Sequence, residues 1–301
     1  MDLMALEMAI NGALLVDKPA GVTSHDVVAI VRRALKEGGT SRPAVGHTGT
    51  LDPFATGLLV VLTGKATRLA RFLDGFEKVY LATVRFGASS DTDDSTGTLT
   101  PRGPATSDQR PSRDEIAVTL TGFLGTQQQL PPAYSAKKID GQRAYARARK
   151  GEEVVLKPVE VTIHSAELLG YTWPDAEIRV SVSTGTYIRA LARDLGTKLG
   201  VPAHCAALRR EAIGTFQVRD AQPIQEVLGG LAAGRHLTPL QVIVHLPRQE
   251  VTADEVVHLV HGRQVEARTS SGPLALCRGD ELIAIAEVQD GKAQPVVVLA
   301  E

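Results

Sequence analysis

The spacing of apolar positions predicts one amphipathic helix and one amphipathic strand in the first third of the chain. The helix follows two candidate N-cap residues, Thr23 and Ser24, because apolar side chains then recur every three or four residues. These apolar positions are Val27, Val28, Ile30, Val31 and Leu35. The strand covers residues 79–87, where Tyr80, Ala82, Val84 and Phe86 alternate with their neighbours and share one face.

The rest of the pattern predicts helices and strands in no regular order. Ser112 and Glu115 form a capping box that opens a helix to about Leu124, after a polar loop at 89–112. Strands are predicted near 154–169 and 178–183, and helices at 143–151, from about residue 187, at 202–210 and at 223–231, with an irregular segment at 127–142. This order is typical of an α+β fold with a mixed or antiparallel sheet.

The pattern of predicted elements changes after about His245. One short helix at 254–261 precedes several short strands, which predicts a small β-rich module. Because 301 residues suit one large domain plus a small one, we predict domains at 1–245 and 246–301. Residues 249–301 carry nine acidic and four basic side chains, a net charge of −5, whereas the rest carries +4. Any site for a polyanion is therefore expected in the larger domain.

Composition narrows the class of protein. The chain is 43% hydrophobic and 22% charged, which is typical of a globular protein in water. No apolar run reaches the roughly 18 residues of a membrane helix, and the N-terminus lacks the basic start of a signal peptide. Cys205 and Cys277 lie far apart and form no CxxC pair, so no zinc knuckle or secreted disulfide framework is indicated. We therefore expect a cytoplasmic protein without membrane contact.

Two segments have some features of nucleotide or cation sites. A phosphate-binding loop needs Gly, four residues and then Gly-Lys-Ser/Thr. Here six residues separate Gly57 from Gly64, and Ala66 follows Lys65, so this interpretation is rejected. The segment DTDDSTG at 91–97 contains several acidic residues. Thr96 and Arg102 stand where a calcium loop needs glycine and glutamate, so a solvated acidic loop is the better interpretation.

Two further spacings are common by chance. Ser135 and Lys138 have the spacing of serine acyl-transferases, but the Ser-Asp-Asn and Lys-Thr-Gly elements of those enzymes do not occur. His258 and His261 have helical spacing, and a metal site would need a third ligand, so surface histidines are the better interpretation. The hydrolase hypothesis would be tested by labelling Ser135 with a serine-reactive probe.

The stretch GHTGTLDPFATGLL at 46–59 holds a single carboxylate, Asp52. An Asp before Pro is common in turns, so Asp52 is either a turn residue or the centre of a chemical site. Other segments combine tyrosines with basic residues, notably PPAYSAKKIDGQRAYARARKG at 131–151 and GTYIRALARDLG at 185–196. Aromatic and basic residues interleaved in this way suit single-stranded or looped nucleic acid.

These segments resemble, in order, the blocks of the bacterial tRNA pseudouridine-55 synthases of the TruB type, over about residues 12–220. The blocks are GALLVDKPAGVTSHDVV, VGHTGTLDPFATGLLVVLTGKATR, KVYLATVRFGASSDTDDSTG, QLPPAYSAKKIDGQRAYARARKGE, STGTYIRALARDLG and LRREAIGTF. The resemblance implies that the chain isomerises uridine 55 in the T loop of tRNA to pseudouridine. The base would be detached at N1 and rejoined through C5, with no cofactor and no metal.

The resemblance also implies roles for individual residues. Asp52 matches the catalytic aspartate, and Arg189 is similar to the arginine that pairs with it. Because Arg189 stays charged, it should oppose the rise in the Asp52 pKa that burial causes. The other matched positions are His47 for base flipping, Tyr80 for stacking on the base, Tyr187 and Leu208 for target contacts, and Lys18 and Pro19 as supports of the catalytic loop.

The resemblance finally implies an architecture and a partner. It predicts the pseudouridine synthase fold, a mixed and largely antiparallel sheet flanked by helices, with a PUA-like RNA-binding module at 246–301. The segment 127–150 is similar to a thumb that grips the T arm of tRNA. Its basic residues are Lys137, Lys138, Arg143, Arg147 and Arg149. No obligatory protein partner is implied, and a monomer is expected because no heptad pattern is present. A catalytically silent tRNA-folding factor is the alternative, against which the intact Asp52, Tyr80 and Arg189 argue.

Overall fold

The structure is a computed structural model, and it describes residues 11–101, 110–134, 138–139, 142–143, 156–231 and 236–300. For 138–139, 142–143 and 228–231 it describes the backbone. Within these ranges, no helix is long and apolar enough to cross a membrane.

A ten-stranded mixed sheet forms the centre of the larger domain. Its strands are β1 (Gly12–Lys18), β2 (Val45–Thr48), β3 (Thr56–Thr63), β4 (Lys78–Phe86), β7 (Gly125–Gln129), β10 (Val159–Thr172), β11 (Asp175–Val182), β12 (Ala203–Ile213), β13 (Phe216–Gln217) and β14 (Gln222–Pro223). The order is β14-β1-β3-β12-β4-β11-β10-β7, with β2 paired to β3 and β13 paired to β12. Only the pairs β1–β14 and β3–β12 are parallel among these described strands, so the prediction of a mixed, largely antiparallel sheet is confirmed.

The predicted strand at 79–87 is confirmed as β4, and its predicted face is the buried one. Tyr80, Ala82, Val84 and Phe86 are all buried, while Leu81 and Thr83 are partly exposed and Arg85 is exposed. This alternation follows from the two-residue period of a strand, which sends successive side chains to opposite faces. Strand β4 lies between β11 and β12, so its backbone groups are paired on both sides.

The predicted helix at 202–210 is wrong, because these residues form most of strand β12. The sequence AHCAALRREAI is rich in Ala, Leu and Arg, which favour helices in isolation. Strand β12 nevertheless pairs with β3 on one side and with β4 on the other. Burial between two strands therefore outweighs a weak local preference. The correction places Leu208, Arg209 and Arg210 in the middle of the sheet.

The helices flank this sheet. They are α1 (Ser24–Glu37), α2 (Arg113–Thr121), α3 (Ile188–Lys198), α4 (Ile224–Leu231) and α5 (Pro239–Val242), and a 3-10 helix covers Gly64–Phe72. Helices α1, α2 and α5 begin at capping boxes. Both predicted N-termini are confirmed: capping boxes join Thr23 to Asp26 and Ser112 to Glu115. Helix α2 ends at Gly122, slightly earlier than predicted. Helix α3 begins at the predicted position, and Tyr187 is its N-cap residue.

Two predicted irregular segments contain short pairs of strands. The loop predicted at 89–112 includes β5 (Ala88–Ser90) paired with β6 (Leu99–Pro101). The segment 127–150 begins inside β7, since Gln127 to Gln129 pair with β10 at the edge of the central sheet. Further along, β8 (Lys138–Ile139) pairs with β9 (Gln142–Arg143). The helix predicted at 143–151 begins at Arg143, which lies in β9, and its other residues lie outside the described residues. Lys137, Arg147, Arg149 and Ser135 also lie outside them.

The C-terminal residues form the predicted β-rich module. Its strands are β15 (Arg248–Glu250), β16 (Val265–Glu266), β17 (Gly272–Arg278), β18 (Glu281–Gln289) and β19 (Lys292–Val298), in the order β15-β17-β18-β19-β16, and helix α6 covers Ala253–Val260. Lys65 Nζ donates to the Leu299 carbonyl at 2.8 Å, and Arg68 Nη1 donates to the Val298 carbonyl at 2.7 Å. An apolar cluster that includes Leu58, Ile285 and Val297 also spans both parts. The module is therefore packed on the 3-10 helix and the sheet beneath it.

Candidate active site around Asp52

Asp52 lies in the short loop that joins β2 to β3, two antiparallel neighbours in the sheet. Ser24, the first residue of α1, anchors this loop: its Oγ donates to the Leu51 carbonyl at 3.1 Å and accepts from the Leu51 amide at 2.8 Å. On the other side of Asp52, the Pro53 carbonyl accepts from the Gly21 amide at 2.8 Å. The residues on both sides of Asp52 are thus held, while 37% of the Asp52 side chain remains exposed.

Lys18 supports the same loop from the end of β1. Its side chain is fully buried, and its ammonium donates to the carbonyls of Pro19 and Val22 at 2.9 and 2.8 Å. The Pro53 carbonyl lies 3.5 Å from the same nitrogen. Burial lowers the pKa of Lys18 to about 8, although the nearby Asp52 carboxylate acts in the opposite direction. Lys18 thus contacts the Asp52 loop, and its role as a support of that loop stays a prediction.

Arg189, near the start of α3, is paired with Asp52. Its Nε lies 2.9 Å from Asp52 Oδ2, and its Nη2 donates to Asp52 Oδ1 at 3.3 Å. The same guanidinium pairs with Asp94 at 3.0 Å and donates to the carbonyls of Thr92 and Tyr134. Only 5% of the Arg189 side chain is exposed, so it cannot swing away from these partners without leaving them unpaired.

Asp94 is a site residue that the sequence analysis missed. The segment 91–97 was interpreted as a solvated acidic loop, and this is wrong for Asp94, which is buried. Its Oδ1 accepts from the Thr92 hydroxyl and from the amide and hydroxyl of Thr96, while its Oδ2 binds Arg189. The acidic composition of the segment hid the one carboxylate that turns inward. The spacing of Thr92 and Thr96 around Asp94 is the signal that could have identified a self-capped carboxylate.

The groups around Asp52 shift its pKa in opposite directions. Burial raises the pKa of Asp52 above its ordinary value, and the negative charge of Asp94 raises it further. The Arg189 and Lys18 charges lower this pKa, but by less than burial raises it. Arg189 therefore opposes the effect of burial, as expected, without cancelling it. The outcome is a carboxylate of increased basicity that is partly open to solvent.

Tyr80 and Leu208 lie on adjacent strands beside the Asp52 loop. Both are buried and belong to one apolar cluster with Leu51 and Ala55, which stand on either side of the segment 52–54. Because β12 and β4 are neighbours, Leu208 pairs with Ala82 and Arg210 pairs with Tyr80 in the ladder. An apolar wall of this kind can accept the face of a nucleobase, and the roles of both residues stay predictions.

Tyr187 is held in place by Gln129, a residue that the sequence analysis placed in the thumb. Gln129 is buried at the end of β7. Its side-chain amide donates to the Tyr187 carbonyl at 3.0 Å, and its carbonyl oxygen accepts from the Tyr187 amide at 2.8 Å. This pair of bonds fixes the N-terminus of α3 and so the position of Arg189, two residues further on.

His47 is half-buried on β2, the strand that precedes the Asp52 loop, and Arg210 contacts that loop at Gly49. Burial lowers the pKa of His47, and the Arg210 charge acts in the same direction. Arg210 is fully buried on β12, and it donates to the Leu58 and Gly49 carbonyls at 2.8 and 3.0 Å. The sequence analysis quoted the block that contains Arg210 but assigned it no role. Its position depends on β12, which the sequence pattern did not predict.

The residues of the alternative phosphate and metal sites do not come together as a second site among the described residues. Gly57 lies in β3 with φ +101°, where a Cβ would meet the backbone of Arg210. Lys65 donates to the Leu299 carbonyl, on the far side from Asp52. His261 Nδ1 lies 2.8 Å from the Val257 carbonyl of its own helix. The structure thus brings together Lys18, Asp52 and Arg189 from separate segments of the chain.

Comparisons with known proteins agree with this architecture. A family model described as TruB family pseudouridylate synthase (N terminal domain) matches residues 35–188, and one described as tRNA Pseudouridine synthase II, C terminal, matches 246–300. The crystal structure of a Cbf5-Nop10-Gar1 complex shares the fold with a TM-score of 0.72 and 25% identity, over 98% of this chain and 86% of that one. An H/ACA RNP bound to a substrate RNA containing 2′-deoxyuridine has the same fold, with a TM-score of 0.72 and 24% identity over the same shares. The fold is therefore that of the pseudouridylate synthase class.

Curated relatives narrow the class to a family. The tRNA pseudouridine synthase B of Thermobifida fusca (strain YX) is 47% identical over 96% of this chain and 99% of its own length. The tRNA pseudouridine synthase B of Aquifex aeolicus (strain VF5) is 38% identical over 95% of this chain and 98% of its own. The chain belongs to the TruB family of pseudouridylate synthases.

Proposed function

We propose that this chain converts uridine 55 in the T loop of tRNA to pseudouridine, with Asp52 as the group that attacks the substrate. Membership of the TruB family and the similarity to curated tRNA pseudouridine synthases support the activity and the substrate. The observation that carries the assignment of Asp52 is its geometry. It is a carboxylate on an anchored loop, paired with a buried arginine and still 37% exposed.

The reaction needs no second reactant. The N1–C1′ bond breaks, the C5–C1′ bond forms, the C5 proton leaves to solvent and N1 gains a proton, so atoms and electrons balance. Asp52 can take part by addition at C6, by attack at C1′ or by removal of the 2′ proton with elimination, and each route uses one ionised carboxylate. The guanidinium of Arg189 holds both oxygens of Asp52, so the carboxylate meets the nucleoside in one orientation.

The uridine must leave its stack to reach Asp52. Extruding a base costs roughly a few kcal/mol, and stacking on an aromatic ring returns about 1–3 kcal/mol. Tyr80 would supply that stacking, with Tyr187 and Leu208 at the borders of the pocket and His47 assisting the extrusion. Pro19 continues the loop support that begins at Lys18, whose ammonium binds the Pro19 carbonyl.

We extend the proposal to the outer parts of the chain. The division into 1–245 and 246–301 is a proposal, and so is the role of 127–150 as a thumb on the T arm. Its charges are Lys137, Lys138, Arg143, Arg147 and Arg149, and removing them should lower tRNA affinity and the salt dependence of binding. A cytoplasmic monomer without an obligatory protein partner is also proposed, and light scattering on the purified chain with and without tRNA would test its oligomeric state.

Release of tritium from [5-³H]uridine in unmodified tRNA transcript tests the activity directly. Wild type should release one tritium per tRNA, and Asp52→Asn should lose at least about 10⁴-fold in rate while still binding tRNA. Asp175→Asn is the matched control, because Asp175 is a carboxylate in a surface pair with Arg85. No release by wild type would disprove the function, and unchanged release by Asp52→Asn would disprove the assignment of Asp52.

The silent tRNA-folding factor is not supported by the family comparison. Turnover by wild type would exclude it as the sole function. A folding assay with Asp52→Asn would then show whether the chain also helps tRNA to fold.

A further inference from the structure

Arg210 is a fully buried cation that lacks an ionic partner in the described part of the chain. Two of its nitrogens donate to main-chain carbonyls: Nε to Leu58 and Nη2 to Gly49. Its third nitrogen, Nη1, is buried and meets no acceptor among the residues that the structure describes. Carbonyl groups satisfy hydrogen bonds but do not neutralise a charge. A buried charge without a counter-ion is costly, so this position suggests an anion that arrives from outside.

A second buried cation, Lys78, lies next to Arg210. The side chain of Lys78 is directed from the start of β4 towards the catalytic loop, and its ammonium donates to the Phe76 carbonyl at 2.9 Å. Burial and the Arg210 charge together lower the pKa of Lys78 to about 8, although the Asp74 charge acts in the opposite direction. The same Arg210 charge lowers the pKa of His47 and of Lys18. Arg210 therefore disfavours positive charge on each of these three groups, which a bound anion would relieve.

Gly49 lies next to both cations. A Cβ on this residue would lie 3.4 Å from Lys78 Cε and 3.5 Å from Arg210 Nη1. Gly49 is half-buried and has φ +74°, a conformation that glycine adopts without strain. Without a side chain there, another molecule can approach the backbone closely. The hydroxyl of Thr48 and Nδ1 of His47, on the strand that leads into Gly49, are also buried without partners among the described residues.

We propose that Arg210, Lys78 and the backbone at Gly49 form a binding site for one phosphodiester group of the RNA strand that carries the target uridine. This proposal rests on the proposed function, because it takes RNA as the ligand. Arginine and lysine side chains with nearby backbone groups are the usual partners of nucleic-acid phosphates. A phosphate held at Gly49, three residues before Asp52, would fix the backbone of the extruded nucleotide beside the carboxylate. Asp52 is then used for chemistry alone, and the strand is held by cations on the opposite side of the loop from Arg189.

The test combines changes on both partners. Short T-loop hairpins are made with a single uncharged methylphosphonate at each phosphate around the target uridine in turn, and Kd is measured for wild type and Lys78→Gln. At one position, the methylphosphonate should weaken wild-type binding about tenfold. Lys78→Gln should bind the unmodified hairpin about tenfold more weakly and should show no further loss at that position. The slope of log Kd against log salt should fall by about one in the variant.

Controls separate this site from general loss of charge or of fold. Lys198→Gln removes an exposed lysine at the C-terminal end of α3. Any loss of affinity in this variant should add to the loss caused by each methylphosphonate, including the one at the sensitive position. Lys78→Arg keeps the charge and should restore the single sensitive position, and thermal melting checks that each variant is folded. Additive losses at every phosphate in Lys78→Gln would overturn the site, and if wild type still releases tritium, the proposed function stands. Failure of wild type to bind or convert the unmodified hairpin would overturn both.

Discussion

The two buried arginines beside the Asp52 loop have different ionic environments. Arg189, on α3, lies between the carboxylates of Asp52 and Asp94. Arg210, on β12, is at least as deeply buried, but its described partners are main-chain carbonyls. A buried charge that serves the folded protein is paired within the chain, as Arg189 is. A buried charge without such a pair is better explained by a ligand.

The arginines also hold different parts of the loop. Arg189 binds the side chain of Asp52 and so affects the orientation and the pKa of the proposed attacking group. Arg210 binds the carbonyls of Gly49, the first residue of the loop, and of Leu58, in the strand β3 that follows it. Arg189 thus acts on the carboxylate, whereas Arg210 acts on the backbone of the loop and of the next strand.

Of the two arginines, Arg189 should have the larger effect when it is replaced. Arg189→Met leaves Asp94 buried and unpaired and Asp52 without its partner, so we expect a loss of about 3–5 kcal/mol in the free energy of unfolding. Tritium release should fall by about 10² or more, because the carboxylate is no longer oriented. Urea unfolding and single-turnover kinetics measure the two effects.

Arg179→Met is the control for this prediction, since Arg179 pairs with Glu211 at the surface and should contribute at most about 1 kcal/mol. Equal destabilisation by the two replacements would contradict the importance of the Asp52–Arg189–Asp94 network.

Replacing Arg210 should affect the free protein less. Arg210→Met breaks two hydrogen bonds to carbonyls but strands no opposite charge, so a loss below about 2 kcal/mol is expected. Affinity for RNA should fall more than the stability does. A greater loss of stability than in Arg189→Met would show that Arg210 is mainly a structural clamp. Urea unfolding and hairpin binding, measured on the same preparations, decide between these roles.

The contrast between the arginines also explains what the sequence could predict. Asp52, Lys18 and Arg189 stand in blocks whose order is distinctive, so their association could be expected before the fold was known. Asp94 was missed because it lies in a polar segment where five of seven residues are Asp, Ser or Gly, and inward and outward carboxylates look alike there. Whether a carboxylate is buried is decided by Arg189, which lies 95 residues away.

Arg210 and Lys78 were missed for a different reason. Residues 203–213 contain good helix formers, and only pairing with β3 and β4 makes them a strand. On a helix, Arg210 would not lie opposite Gly57 and Tyr80, as it does in the sheet. Lys78 stands just before the strand predicted at 79–87, and no role was predicted for it. Both errors concern long-range pairing, about which local periodicity carries no information.

A smaller effect on RNA affinity is expected from the titration of Lys78, which lies next to Arg210. The pKa of Lys78 is about 8, so Lys78 loses its charge as the pH rises through that value. RNA affinity should therefore be highest below pH 8 and fall several-fold above it, as a phosphate contact weakens. Lys78→Arg stays charged and should flatten this fall, which binding titrations from pH 7 to 9.5 would measure. Lys18 also has a pKa of about 8, so an unchanged fall in Lys78→Arg would assign the effect to Lys18 and remove Lys78 from the contact.

The smallest expected effect is a shift in the acid limb of the pH–activity profile when Asp94, which pairs with Arg189, is replaced. Burial raises the pKa of Asp52 and the Asp94 charge raises it further, while Arg189 lowers it. Asp94→Asn removes one negative charge and frees Arg189 to interact with Asp52 alone, and both changes lower the Asp52 pKa. The acid limb of kcat/KM, which reports the ionisation of free Asp52, should therefore move to lower pH. Asp175→Asn, at the surface, should leave the limb in place. A shift to higher pH in Asp94→Asn would mean that Asp94 acts mainly by holding Arg189 against Asp52, and that its own charge is secondary.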